Sequence, residues 1–317
     1  MKTGLVILVA ILFVLSLLAG KVWLPPSDLF HDGPAAWIVL DLRLPRAILG
    51  LFIGAGLGLS GAVLQGYLRN PLADPSIVGI SSTAALGAVI AIFLGAAVSP
   101  AIVFGSAMVG AGLAVLLLVA MGGRGTSPLV FILAGTVLSS LSGALTAFLI
   151  SIAPNPFATS EIITWLMGAL TDRSMADAMR AVPLIVVGVI LLLTTGRALD
   201  ALTLGEDAAR SLGIDMRWLQ GIIVLGLCLT VGASVAVSGV VGFVGLIVPH
   251  IARRFIGERP SAILLPSALG GAALVLAADS LVRLTPGAGE VRLGIAMALI
   301  GAPFFFFLLK QLRGKFS

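Results

Sequence analysis

Five places in this 317-residue sequence hold residues that could do chemistry, and each lies at the edge of, or inside, a long apolar run. The first is Arg43-Leu-Pro-Arg46. Two arginines three apart at a helix start can face one way, either snorkelling to an interface or offering a docking point to an acidic protein surface. The second, Leu68-Arg-Asn-Pro-Leu-Ala-Asp-Pro75, is a tight turn stiffened by two prolines, with Asp74 placed to cap the next helix. In the third, Leu202 to Asp215, Glu206 and Asp207 lead, Arg210 follows and Gly213 terminates. That is the charge order of a short capped helix, shaped to receive a partner if it is more than a solvated connector. The fourth, Ser238 to Arg254, repeats Gly239, Gly242 and Gly245 as a small-residue packing face before Pro249-His250 and Arg253-Arg254. The fifth is Asp279, the one ionisable residue well inside an apolar run, with Arg283 one turn later as its partner.

Equally informative is what these residues do not form. No glycine-rich loop ending in Lys-Ser/Thr is present, so the chain is not expected to hydrolyse ATP itself. Neither His-Glu-x-x-His nor Gly-x-Ser-x-Gly occurs, which leaves protease and esterase chemistry without support. His250 has no Cys, Asp or second His at ligand spacing, and His31 with Asp28 and Asp32 is the only other cluster. Neither is read as a metal site, and no cofactor is expected on this chain.

The elements that position these residues follow from composition. Hydrophobic residues make up 59% of the chain and charged residues 10%, with mean hydropathy +1.17. Soluble domains carry about 45–50% apolar and about 25% charged residues, so soluble enzyme, nucleic-acid binder and disordered regulator are excluded. The chain reads as an all-α polytopic membrane protein, one transmembrane domain over residues 1–317. Its net charge of +5 fits basic loops better than nucleic acid, and the single Cys228 rules out an internal disulfide. Thirty-nine glycines with 6% aromatic residues point to close helix packing rather than to the aromatic girdles of a β-barrel.

A crossing helix needs about 20 apolar residues. Ten candidate spans result: 4–24, 45–66, 74–95, 99–121, 128–152, 175–197, 218–237, 240–257, 261–284 and 293–312. Glu161 to Leu170 reads as a partial helix at a membrane surface. The first run continues to Leu24 without a clear cleavage site and reads as a retained helix rather than a signal peptide. Ten spans put both termini on one side. If that side is the cytoplasm, it holds Lys2, Arg69, Arg124, Arg197, Arg210, Arg217, Arg253, Arg254, Arg259, Lys310, Arg313 and Lys315, most of the 19 Lys and Arg, in the sense of the positive-inside bias.

In this order, the motifs resemble the iron-siderophore, haem and cobalamin permease family of ATP-binding-cassette (ABC) importers. The resemblance runs from about Arg43 to Leu309 and rests on Arg43-x-Pro45-Arg46, Ser60-Gly61-x-x-x-Gln65, Asn70-Pro-Leu-Ala-Asp-Pro75 with Gly79, and Gly205-x-x-x-Ala209-x-x-Leu212-Gly213. It continues through Gly239-x-x-Gly242-Phe-x-Gly-Leu246, Pro249-His250-x-x-Arg253, Asp279-x-x-x-Arg283 and Gly301-x-Pro303-Phe304. Thr83 stands where the family usually has Gly, and Glu290-Val-Arg292 lacks the family's proline and adds a cation.

The resemblance implies a type II importer permease fold in the inner membrane, two permease copies forming the pore, separate ATPase subunits that bind ATP-Mg, and a periplasmic or lipid-anchored substrate-binding protein. It implies that Gly205, Glu206, Asp207, Ala209, Arg210, Leu212 and Gly213 form the helix seated in the ATPase, and that Arg43, Arg46 and Arg283 meet the binding protein. Gln65, Thr136, Ser139, Ser140, Ser142 and Thr146 would line the path, although interhelical hydrogen bonding explains those hydroxyls equally well. The implied cargo is an iron-siderophore first, then haem or cobalamin. Two other classes stand beside it: an ion-coupled secondary carrier centred on Asp279, and a membrane anchor that moves nothing.

Overall fold

The computed structural model describes residues 2–21, 23, 34–121, 128–285 and 289–313. Every regular element among them is helical. In chain order they are α1 (Lys2–Leu18), α2 (Leu44–Tyr67), α3 (Ile80–Phe93), α4 (Pro100–Met121), α5 (Pro128–Ser151), α6 (Pro156–Leu166) and α7 (Met175–Thr194). There follow α8 (Gly196–Leu202), α9 (Glu206–Ser211), α10 (Met216–Leu227), α11 (Ala233–Ser238), α12 (Val244–Ile256), α13 (Pro260–Arg283) and α14 (Leu293–Arg313). A one-turn segment, Pro34–Trp37, and a π-helical turn, Ile38–Arg43, lead into α2; a second π-helical turn, Cys228–Gly232, joins α10 to α11. His31, Asp28 and Asp32 lie outside the described residues.

Among the described residues, six helical stretches are long and apolar enough to cross a membrane: Ile38–Tyr67, Pro100–Ala120, Val130–Ser151, Met175–Thr194, Met216–Ser238 and Pro260–Arg283. The other four expected spans correspond to α1, α3 and α12, which are shorter helices, and to α14, whose apolar stretch Leu293–Leu308 is also short of that length. Two of these are short for local reasons. Asp74 caps a 3-10 turn, Pro75–Val78, and Gly79 at φ 83° delays the start of α3. Gly239 at φ 71° ends α11, and α12 begins only after Phe243 at φ 68°. The glycines at 239, 242 and 245 therefore do not form one packing face as the sequence suggests; the first of them breaks the helix, and a side chain at Gly242 would meet open space.

The core is organised around α2, whose small residues let other backbones touch it. A methyl on Gly54 would lie 2.3 Å from the Gly271 carbonyl oxygen of α13, and one on Gly58 2.2 Å from that of Ser267. A methyl on Gly61 would meet the Gly245 carbonyl oxygen of α12 at 2.0 Å. In lipid, where no hydrophobic effect drives helices together, such close van der Waals approach is a main source of cohesion. Between these contacts α2 buries Leu49, Ile53, Leu59 and Leu64. The outside is apolar, with Leu116, Phe306 and Phe307 well exposed. α1 is packed into the molecule, its Val9 clustering with Ala272 and Leu276 of α13.

Candidate functional site

At one end of the bundle, three arginines and two acids close into a single network. Arg46 donates from Nε to both carboxylate oxygens of Asp279, at 2.9 and 3.0 Å, and from Nη1 to Glu290 at 2.8 Å. Arg283 reaches the same Asp279 carboxylate, with Nε at 3.0 Å. It also donates to the Ser16 carbonyl at 2.8 Å and the Ser16 hydroxyl at 2.7 Å. Arg43 takes the neighbouring carbonyls of Leu17 and Leu18 at 3.0 and 2.7 Å. Arg43 and Arg283 thus hold carbonyls at the C-terminus of α1, where the helix dipole favours cations.

Sequence spacing places Arg43 and Arg46 on one helical face. Arg43 instead ends the π-helical turn and Arg46 begins the regular helix, so the two side chains part, one to α1 and the other to α13. Both are 7% exposed and Arg283 is 3% exposed. Among the described residues the cluster joins three arginines to two carboxylates. The network contains three residues the sequence reading passed over: Ser16, Glu290 as an ion-pair partner, and Thr171, whose hydroxyl donates to Glu290 at 3.1 Å. Among the pairings themselves, only Asp279-x-x-x-Arg283 had a visible spacing signal; Arg43 meets the end of α1 across about 25 residues, and the Arg46, Ser16 and Thr171 contacts each span more than a hundred.

Gln65, expected along a path, is instead 2% exposed at the other end of α2. Its amide nitrogen donates to the carbonyls of Ala73 at 3.2 Å and Gly245 at 3.1 Å, and its oxygen accepts from Arg253. With all these groups occupied, Gln65 ties the Asn70–Pro75 turn to α12 and has nothing free for a passing solute. Within that turn, burial pushes the Asp74 carboxyl above its ordinary range, with the Ser76 hydrogen bonds opposing it.

On α5 the expected hydroxyls separate. Thr136 and Ser140 are exposed, Ser139 and Thr146 half-buried, and Ser142 is buried. Ser142 lines a groove of about 580 Å³ shared with α3 and α4. At helical angles of 100° per residue, Thr136, Ser140, Gly143 and Ala147 make one exposed stripe. Val137, Leu141, Leu145 and Phe148 make an apolar stripe beside it. Thr136 donates to the Ile132 carbonyl at 2.9 Å, and Ser139 faces the Ser76 carbonyl at 3.4 Å.

The 205–213 segment forms the expected short helix, α9, between glycines at φ 104° and 83°. Arg210 pairs with Glu206 at 2.6 Å on its solvent side. Ala209 is fully buried, which seats the helix on the molecule, and Leu212 is 63% exposed at its end. Near it, α8 is fastened to α13: Asp200 accepts from the Ser261 amide at 2.8 Å, the Ser261 hydroxyl at 2.6 Å and Arg259 at 2.8 Å.

Residues 8–311 match the FecCD transport family. The chain belongs to this family. Among FecCD-type relatives, it is 42% identical to the cobalamin import system permease protein BtuC of Halobacterium salinarum, over 86% of this chain and 73% of that one. It is 38% identical to the vitamin B12 import system permease protein BtuC of Vibrio cholerae (93% and 89% covered). To the Fe(3+)-citrate import system permease protein YfmD of Bacillus subtilis it is 36% identical (87% and 82% covered). Its fold superposes on a metal-chelate type ABC transporter in an inward-facing conformation with TM-score 0.90, at 33% identity and 98% coverage of each chain. A FecCD family chain with six crossing-length helices is a multi-pass membrane permease.

Proposed function

We propose that the chain is the pore-forming permease subunit of an ABC importer for a metal chelate, working beside a second permease copy. The observation that carries this reading is the exposed hydroxyl and small-residue stripe of α5. A membrane-crossing helix does not gain by presenting Thr136 and Ser140 to hydrocarbon, whereas its neighbouring stripe of Val137, Leu141 and Phe148 suits lipid. A second copy facing the first stripe would enclose a weakly polar conduit, lined from each chain by Thr136, Ser139, Ser140 and Thr146. Such a wall lets a large chelate pass without trapping it.

Gly205 to Gly213 is the seat for a separate ATP-binding subunit in this reading, which places it and both termini in the cytoplasm. The arginine cluster then faces outward beneath a substrate-binding protein. Because Arg43, Arg46 and Arg283 are buried, their part beneath such a partner would be to hold the mouth together rather than to touch it directly. Cobalamin and iron chelates, siderophores included, are the cargo classes, and the binding protein makes the selection among them. Reconstituting the permease with its co-purifying partners in vesicles tests all of this: ATP-dependent uptake of labelled cobalamin or a ferric chelate is expected. Uptake that ignores ATP and collapses with an ion gradient would replace this reading with that of a secondary carrier.

A further inference from the structure

Helices α1, α12 and α13 leave between them an apolar groove of about 380 Å³ that the transport reading does not use. Leu5 and Leu8 form one wall, Ile251 and Phe255 the other, and Gly270 and Ala273 the floor. From α13 the small Gly270 and Ala273 open the groove beside Pro266 and Leu274. Along α12 it runs from Ile247 to Ile256, about 13 Å at the helical rise, close to the roughly 15 Å of hydrocarbon in one leaflet.

Two cations stand at one end. Lys2 lies one turn before Leu5, and Arg254 adjoins Phe255; both are exposed. Among the described residues, neither makes a hydrogen bond or ion pair. The basic residues nearby in sequence are engaged: Arg253 with Gln65 and, at 3.9 Å, with Glu258, and Arg259 with Asp200.

We infer that this groove is a binding site for one anionic phospholipid, with an acyl chain lying between α1, α12 and α13 and the headgroup phosphate at Lys2 and Arg254. Both parts are needed for selectivity. The apolar walls accept any acyl chain, but a zwitterionic headgroup brings its own cation to two already present, whereas a phosphodiester with a neutral headgroup does not. The site requires only that the chain crosses a bilayer, whichever solute is carried and whichever end faces the cytoplasm.

Native mass spectrometry of the detergent-extracted permease, titrated with dioleoylphosphatidylglycerol and dioleoylphosphatidylcholine, reads this directly. The unaltered protein is expected to retain one phosphatidylglycerol under conditions that strip phosphatidylcholine. Lys2→Gln with Arg254→Gln should lower phosphatidylglycerol retention about thirtyfold and leave phosphatidylcholine unchanged. Leu8→Trp with Ile251→Trp, filling the groove from two exposed positions, should lower retention of both lipids. Melting temperatures within a few degrees of the parent show that each variant folds. Phosphatidylglycerol retention that neither variant alters overturns the inference. So does a tryptophan variant that splits the permease dimer while keeping its lipid, because the groove would then be a protein contact.

Discussion

Asp279 is the carboxylate that two arginines of the network share. It accepts from both Arg46 and Arg283 while 1% exposed. Removing the charge strands two guanidiniums in a buried site, a change that typically costs about 3–5 kcal/mol. Asp279→Asn should therefore lower the melting temperature in detergent far more than Glu290→Gln, whose side chain is partly exposed. Similar melting temperatures for the two would show that Asp279 is not the keystone. Asp200 offers a pH test outside the membrane spans. Burial works against its ionisation, but hydrogen bonds from Ser261 and the Arg259 cation outweigh that and hold its carboxyl below the usual range. A lowered carboxyl pKa stabilises the fold above the unfolded value of about 3.9 and loses that contribution as pH falls through the folded value. Melting curves recorded from pH 6 down to pH 3 should thus show a shallower acid limb in Asp200→Asn than in the parent.

At the scale of elements, α9 is only six residues long, far below the roughly 12–15 needed for an isolated helix to hold in water. Its shape depends on the left-handed glycines at its ends and on the buried Ala209. Ala209→Glu should unseat it, and a Gly-Ser linker replacing residues 205–213 should abolish co-purification of the ATPase and ATP-driven uptake. Intact uptake would remove the segment from the partner interface. The contact between α2 and α12 is equally exacting. Valine at Gly61 would drive its Cβ into the Gly245 backbone, and neither helix can yield without moving the Gln65 junction. A loss of at least about 2–3 kcal/mol is expected, measurable as failure to accumulate in the membrane, whereas Gly143→Ala on the open face of α5 should be neutral.

For the whole molecule, the two stripes of α5 predict different responses. Leucine at Thr136 and Ser140 should suppress uptake while leaving the melting temperature and ATPase attachment unchanged, because those positions face outward and hold nothing inside the chain together. Serine at Leu141 should do little to uptake, since that side meets lipid. Equal effects from both stripes would deny α5 a place on the path.

Much of this was legible in the sequence. Composition alone dictated a helical membrane protein, because 10% charged residues cannot solvate a surface. The strong local signals also held: Asp74 as a cap, Asp279 with Arg283 one turn apart, and a glycine-bounded helix at 205–213. Local signals survive because they depend on backbone geometry within a turn or two. What tertiary structure decided was which polar residues remain free. Gln65 and Ser142 read like path residues and are buried, one of them fully hydrogen-bonded. Arg43 and Arg46 read as a pair on one face, and a π-helical turn sends them to different helices. Glu290 stood out only as part of a departure from the family motif, and Ser16 joined the cluster with no signal at all. A polar group in a membrane protein takes whichever partner the packing brings within about 3 Å, and that choice is made by how separate helices meet, beyond the reach of spacing within one helix.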